Sequence, residues 1–411
     1  MGSSTRNNGR AAVSSVTELA SSPPLRDCLG WFARERAWIN QQHLQVCRIP
    51  APTFLEGQRA DWMVEQLRGL GWDARIDRGG NVNATLESRG PLVALTAHLD
   101  TVLAPRHPED IRVDADGTLR GPGVSDNGAG LAALLALARA WTTCSPIQDT
   151  AASVLLVANV GEEGEGNLSG MRFLCRQSPL AGRIRSFLVL DGPATDHITA
   201  HALASRRFEI NFAGPGGHSW SDFGTANPVH ALSRAVTSFI DSPPAQAAGA
   251  RTSYNFGVVE GGSTVNSIPA EARTKVDIRS ESTARIDELA GLLGSCVDSA
   301  VQAENERASA GRVSARVREI GFRPGGRLAD DAPILRLVRA VDAHLGIRSH
   351  VDCASTDANI PLSMNLPALS IGAGGQGGGA HTSSEWFHPD GREAGLRRIL
   401  LALAMLVSDA A

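Results

Sequence analysis

The sequence predicts an α/β fold in which a helix-covered sheet is interrupted by a smaller inserted domain. Three observations carry that expectation. Fully apolar, strand-like runs alternate with helix-like stretches from about Leu25 to Ala204. Between about Ser205 and Ile320 the strand-like runs instead alternate polar with apolar residues, and after Arg323 the first style returns. A strand apolar at every position belongs to a sheet buried on both faces, whereas alternation marks a sheet with one open face. The expected boundaries are residues 25–204 and 321–411 for the first domain and 205–320 for the insertion. Residues 1–24, rich in Ser and Asn and ending at Pro23-Pro24, read as a flexible leader.

In the first domain, Asp61–Leu70 has the spacing of an amphipathic helix, and Leu92–Ala97, Val154–Val160 and Phe187–Leu190 are buried strands. Gly130–Trp141, rich in Ala and Leu, is a helix by propensity. The insertion runs strand Arg207–Phe212, helix Pro228–Ile240, strands Tyr254–Glu260 and Ala272–Arg279, helix Ser282–Glu304 and strand Arg312–Ile320. Pro228 suits a first helical turn, where its missing N–H costs nothing. This β-α-β-β-α-β order is that of a ferredoxin-like sandwich. A helix at Pro333–His344, a strand at Ala368–Ile371 and a helix at Gly391–Val407 complete the first domain.

A chain of 411 residues is long enough for two cores. Its 42% apolar and 20% charged residues are those of an ordinary globular protein. A formal charge of -4, without a basic run, offers nucleic acid no general attraction. The six cysteines (Cys28, Cys47, Cys144, Cys175, Cys296 and Cys353) are scattered without CxxC spacing and read as reduced thiols. No stretch near the start has the apolar core of a signal peptide. The apolar run Ile399–Val407 falls far short of the roughly 20 residues of a membrane span. A cytoplasmic location is therefore expected.

Five short segments hold the chemistry. They are His98-Leu99-Asp100, Gly121 to Asn127, Gly161-Glu162-Glu163-Gly164, Leu190-Asp191-Gly192 and Gly379-Ala380-His381-Thr382. Each puts an imidazole or carboxylate where an apolar run gives way to a Gly-rich loop. Two imidazoles and three carboxylates suit a pair of divalent ions such as zinc, cobalt or manganese. His98 and Asp100 share a strand face by alternation, as a ligand and the group that orients it would. Asp126 precedes a helix, where a carboxylate can bridge two cations or simply cap the helix. Glu162 and Glu163 repel each other unless something positive lies between them, so one can bind metal while the other serves as general base. Glu165 leaves a merely acidic, solvated loop open as a second reading. All five segments are expected at the carboxyl ends of strands, where open α/β sheets place their sites.

With these motifs the chain resembles the co-catalytic metallo-exopeptidases that include peptidase T, glutamate carboxypeptidase, carnosine dipeptidase and acetylornithine deacetylase. The resemblance runs from about residue 30 to the C-terminus. It implies a mixed-sheet, three-layer catalytic domain carrying an inserted lid or dimerisation domain. It implies that His98 and Asp191 hold one metal, Glu163 and His381 the other, with Asp126 bridging. Asp100 would orient His98, and Glu162 would be the general base and acid. Asp191, where some relatives carry Glu, looks like the peptidase side of the family, and Ala354 to Asn359 is similar to a peptidase T segment.

Gly214 to Ser219 resembles the family's lid loop, so His218 would reach an active site, from the neighbouring subunit in dimeric members. Asn266, in Ser263 to Pro269, and Arg279 look like substrate-binding residues, and an Arg fork is a natural clamp for a carboxylate. His43 and the remaining histidines match no ligand position and read as structural or surface residues. The expected function is metal-dependent hydrolysis of an amide in a small substrate, by a peptidase T-like exopeptidase. An N-acyl amino acid deacylase or another small-molecule amidohydrolase or deaminase uses the same chemistry. A metal-dependent binding protein without catalysis is the third expectation, and the intact set of ligands and base argues against it.

Overall fold

The computed structural model describes residues 15–86, 90–147, 150–242 and 250–408. The chain divides into two compact units, one running to Ala202 and resuming at Gly326, the other Leu203–Gly325. The first unit is built on strands β1 (Asp73–Ile76), β2 (Val82–Thr85), β3 (Leu92–His98), β4 (Ser153–Asn159), β5 (Ile184–Leu190) and β6 (His197–Ala202). The second contributes β7 (Ala204–Ala213), β8 (Thr252–Gly261), β9 (Glu271–Ser280) and β10 (Ser314–Arg323). Strands β11 (Gly326–Arg327), β12 (His350–Ala354) and β13 (Ala368–Ile371) return to the first.

The large sheet has the order β1-β2-β4-β3-β5-β13-β6-β11, with β12 also pairing to β6. Its centre is parallel, since β3 runs parallel to both β4 and β5, and β5 parallel to β13. The pairs β1–β2, β2–β4 and β6–β11 are antiparallel, so the sheet is mixed. Every residue of β3 is buried. Because successive side chains point to opposite faces, both faces of this strand are covered. That is why Leu92 to Ala97 contains no polar residue but Thr96.

Helices α1 (Pro23–Arg34), α2 (Arg36–Arg48), α3 (Gly57–Gly69), α4 (Gly128–Cys144) and α5 (Ser169–Arg176) belong to the first unit. The second holds α6 (Pro228–Asp241) and α7 (Thr283–Arg307), and α8 (Pro333–Leu345), α9 (Asn359–Ser363) and α10 (Arg392–Ser408) return to the first. Helix α4 is buried almost all round, from Gly128 to Ala138, which its Ala and Leu content permits. One expectation needs correction. Residues 1–14 lie outside the described residues, but 15–21 form a helical turn with Val16 and Ala20 buried, and α1 starts at Pro23. Apolar residues at helical spacing, Val16, Leu19 and Ala20, override the Ser-rich composition there.

In the second unit the order is β8-β9-β7-β10, antiparallel throughout. Its core is formed by Phe208, Ile210 and Phe212 of β7, Val276 and Ile278 of β9, and Leu289 and Leu293 of α7. Asn227 caps α6 by accepting from the amides of Val229 and His230, and Pro228 follows it in the first turn. The α/β architecture and the β-α-β-β-α-β unit are those expected from the sequence. No helix among the described residues is long and apolar enough to cross a membrane. The six cysteines are free thiols.

A buried ion pair joins α8 to α10. Arg398 Nε and Nη2 reach the two carboxylate oxygens of Asp342 at 2.6 and 2.7 Å, and Arg398 Nη1 donates to the His197 carbonyl at 3.2 Å. Removing one member of such a pair strands the other charge, which costs about 3–5 kcal/mol. Arg398→Met should therefore lower the free energy of unfolding of the first unit by that amount. Chemical denaturation followed by tryptophan fluorescence checks it, because six of the seven tryptophans lie outside Leu203–Gly325.

Candidate metal centre

Strands β4, β3 and β5 lie side by side and parallel, so their carboxyl ends open onto one edge. His98 ends β3, Glu162 and Glu163 follow β4, and Asp191 follows β5. Asp126 and His381 arrive differently. Asp126 comes from the turn before α4, and His381 follows the short strand Gln376–Gly378 of a separate four-stranded sheet. The expectation that all candidates sit at ends of main-sheet strands is corrected for these two. A small antiparallel sheet, in which Trp386–His388 pairs with Leu119–Arg120, brings their loops together.

The side chains converge. His98 Nε2 lies 3.1 Å from Asp126 Oδ1, and His381 Nε2 lies 3.2 Å from Asp126 Oδ2 and 2.8 Å from Glu163 Oε1. Ligand atoms of His98, Asp126 and Asp191 lie within 4.8 Å of one another, as do those of Asp126, Glu163 and His381. The two groups share Asp126. His98, Glu162 and Glu163 form a third such group, which places Glu162 beside both.

Two further carboxylates lie beneath. Asp100 is fully buried and accepts from the amides of Glu162 (3.0 Å) and Glu163 (2.9 Å) and from Thr53 Oγ1 (2.9 Å). His98 Nδ1 meets the Asp100 carbonyl at 2.9 Å and its carboxylate only at 3.5 Å. The main-chain carbonyl is thus the nearer orienting group for the ring, while the carboxylate holds the loop of Glu162 and Glu163. Glu385 accepts from the amides of Gly123, Ser125 and Asp126. Sequence reasoning passed over Glu385, because nothing local links it to a loop some 260 residues earlier.

It also passed over Asn127, which takes the capping role open to Asp126. Asn127 Oδ1 accepts from the amide of Gly130 at 3.1 Å, so Asn127 is the cap of α4 and the Asp126 carboxylate is left for the site. Asn127 Nδ2 also donates to the Leu190 carbonyl at 2.8 Å, fixing the turn against the end of β5. The adjacency of Asn127 to the helix start was a usable signal. Gly123 has φ of +76°, and a Cβ there would collide with the Thr101 side chain, so this turn requires glycine. His43, expected to be structural, is buried with Nε2 at 2.7 Å from the Val124 carbonyl and supports the same turn. Burial, then the Arg392 charge, holds its pKa well below the ordinary imidazole value.

The electrostatics favour positive charge in the middle of this set of side chains. Burial, with the charges of Asp126, Asp357 and Glu163 added, pushes the Asp191 carboxyl up to about 7. The carboxylates of Asp126 and Glu163 raise His381 to about 10. Burial opposes charge on His98, but Asp100 and Asp126 outweigh it and hold its pKa well above normal. Both shifts favour positive charge among these carboxylates. Oxygen and imidazole donors crowded this closely fit a pair of divalent ions.

The remaining site candidates lie in the second unit. His218 is in the two-residue strand Gly217–His218, which pairs with Ser267–Ile268 and so brings it near Asn266. Its Nδ1 accepts from the amides of Trp220 and Ser221, which puts the proton of the neutral ring on Nε2. Arg279 lies apart on β9, with Nε donating to Asp277 at 2.7 Å, and Arg207 shares the same carboxylate at 3.3 Å.

Fold and site together are those of an α/β protein whose converging donors suit a pair of divalent ions. Residues 94–405 match the model of Peptidase family M20/M25/M40, and the chain belongs to that family. It is 26% identical over 252 residues to a succinyl-diaminopimelate desuccinylase of Paracoccus denitrificans, a match covering 57% of this chain and 65% of that one. The chain spans less than two thirds of the length of the curated relatives it matches. Among solved structures it is similar to a tripeptidase of Staphylococcus aureus (TM-score 0.69, 20% identity, 90% and 97% of the two chains). It is also similar to Bacillus subtilis YxeP, a dinuclear metal binding peptidase of the M20 family (TM-score 0.65, 14% identity, 90% and 98%). At such identities the two structures speak for the fold.

The pKa shifts fix a pH dependence for the metal-free protein. His381, raised from 6.5 to about 10, contributes stability that is complete below about 6.5 and lost as pH rises towards 10. Asp191, an acid raised from 3.8 to about 7, adds a penalty that grows over that interval and is full above it. Both act in one direction. The metal-free protein should melt at a lower temperature at pH 9 than at pH 6.5, and saturating divalent metal should flatten the difference. Calorimetry of chelator-treated and metal-loaded samples measures it.

Proposed function

We propose that the chain is a peptidase T-like exopeptidase that cleaves a peptide bond in a short peptide, with Glu162 as general base. The observation that carries this is the convergence of His98, Asp126, Asp191, Glu163 and His381 about one shared carboxylate, with Glu162 alongside. His98 and Asp191 would hold one divalent ion, Glu163 and His381 the other, and Asp126 both, with zinc the first candidate and cobalt or manganese also suited. When bound, such a pair polarises a carbonyl and lowers the pKa of water from ~15.7 towards about 7. Glu162 takes the proton of the attacking water and returns it to the leaving amine. Asp100 keeps Glu162 and Glu163 in place through their amides.

His218, Asn266 and Arg279 are assigned to substrate binding, with Arg279 as the clamp for a substrate carboxylate. Homodimerisation through the second unit and a cytoplasmic location belong to the same reading. A deacylase of N-acyl amino acids is the second reading, favoured by the similarity to the desuccinylase. A panel of tripeptides, dipeptides and N-acyl amino acids, assayed with metal added back, decides between them. Turnover confined to tripeptides supports the first, and turnover confined to N-acyl amino acids replaces it with the second. No metal-dependent turnover on any member would leave a binding protein.

Glu162→Gln should keep two metal ions per chain and lower kcat by about 10²–10⁴-fold, the usual worth of a positioned base. Elemental analysis and steady-state kinetics on the same sample check both halves. Near-normal kcat would remove Glu162 from its role.

A further inference from the structure

The carboxylate of Glu385 touches none of the converging ligand atoms, yet it lies 2% exposed directly behind them. Its Oε2 accepts from the Gly123 amide at 2.7 Å, and its Oε1 from the amides of Ser125 (2.7 Å) and Asp126 (2.8 Å). Its backbone carbonyl accepts from the Gly121 amide at 2.9 Å. Four bonds therefore run from one residue to the turn that presents Asp126. The same residue ends the loop that presents His381, four positions earlier in the chain.

We propose that Glu385 is the positioning residue of the metal centre, locking the Asp126 turn and the His381 loop into one rigid piece before any cation arrives. This rests on the reading of Asp126 and His381 as metal ligands. The geometry explains why the residue is an acid. Three amide donors converge on two oxygens, and an ionised carboxylate offers acceptor lone pairs only. The isosteric Gln would turn an NH2 group towards at least one amide, leaving donor against donor in a buried place. Asp keeps the acceptors and falls short by one methylene. Outer residues that orient ligands in this way commonly control metal affinity by about 10–100-fold.

The test is metal affinity measured by chelator competition with zinc on the full chain. It compares wild type, Glu385→Gln, Glu385→Asp and, as a control for general destabilisation, Asp342→Asn. Expected are a loss of about 10–100-fold in the Gln variant, a smaller loss in the Asp variant, and no change in the control despite its lower melting temperature. Wild-type affinity in Glu385→Gln, or a weaker Asp than Gln variant, would overturn the proposal.

If neither Glu385 variant folds, hydrogen exchange of metal-free wild type decides. The amides of Gly123, Ser125 and Asp126 should be protected without metal, and exchange at open-loop rates would overturn the proposal. A wild type that takes up no zinc would instead sink the metal reading beneath it. That result is seen before any variant is made.

Discussion

Like charges held together away from water are the constraint on which this site depends. Asp126, Asp191, Glu162 and Glu163 bring their carboxylates to one edge of a buried sheet, with Asp100 and Glu385 buried behind them. Two such charges 4 Å apart repel by about 4 kcal/mol at an effective dielectric of 20. A few repulsions of that size match the whole stability of a folded domain, about 5–15 kcal/mol. The polypeptide supplies only partial relief. Asp191 takes up a proton near neutrality, and His98 and His381 hold theirs far above the usual imidazole range. Divalent cations relieve the same repulsion without protons, which is why this cluster suits a metal pair.

The acids divide by what their oxygens meet. Asp100 and Glu385 face main-chain amides, so they act as fasteners for the loops around them. Asp126 meets imidazole nitrogens on both oxygens, in the middle of the cluster. This division separates groups that hold the site from groups able to grip a cation. It also accounts for the burial of Arg59, whose guanidinium donates to the carbonyls of Ile49 and Leu99 and so steadies the segment next to Asp100.

The candidate metal ligands and the residues proposed for substrate binding fall in different units. The converging ligands and Glu162 all belong to the unit built on the large sheet, and they suit a pair of divalent ions without specifying a substrate. The second unit carries the residues assigned to the substrate. There Asp277 lies between two guanidiniums, Arg207 and Arg279.

The α/β class, the inserted β-α-β-β-α-β unit and the identity of the converging acids and imidazoles were legible in the chain itself. Each depends on local pattern: unbroken apolar runs for doubly buried strands, alternation for half-open ones, and polar residues placed just beyond them. Local pattern failed at residues 15–21, where a few apolar contacts outweigh a Ser-rich composition, and it left open at Asp126 a capping role that Asn127 takes. Glu385 shows the limit most clearly, since its meaning lies in three amides far away in the sequence. Residue chemistry can be read in one dimension because ligand types are intrinsic to side chains. Which acid grips a cation and which one grips the backbone is decided only when folding sets each carboxylate against its neighbours.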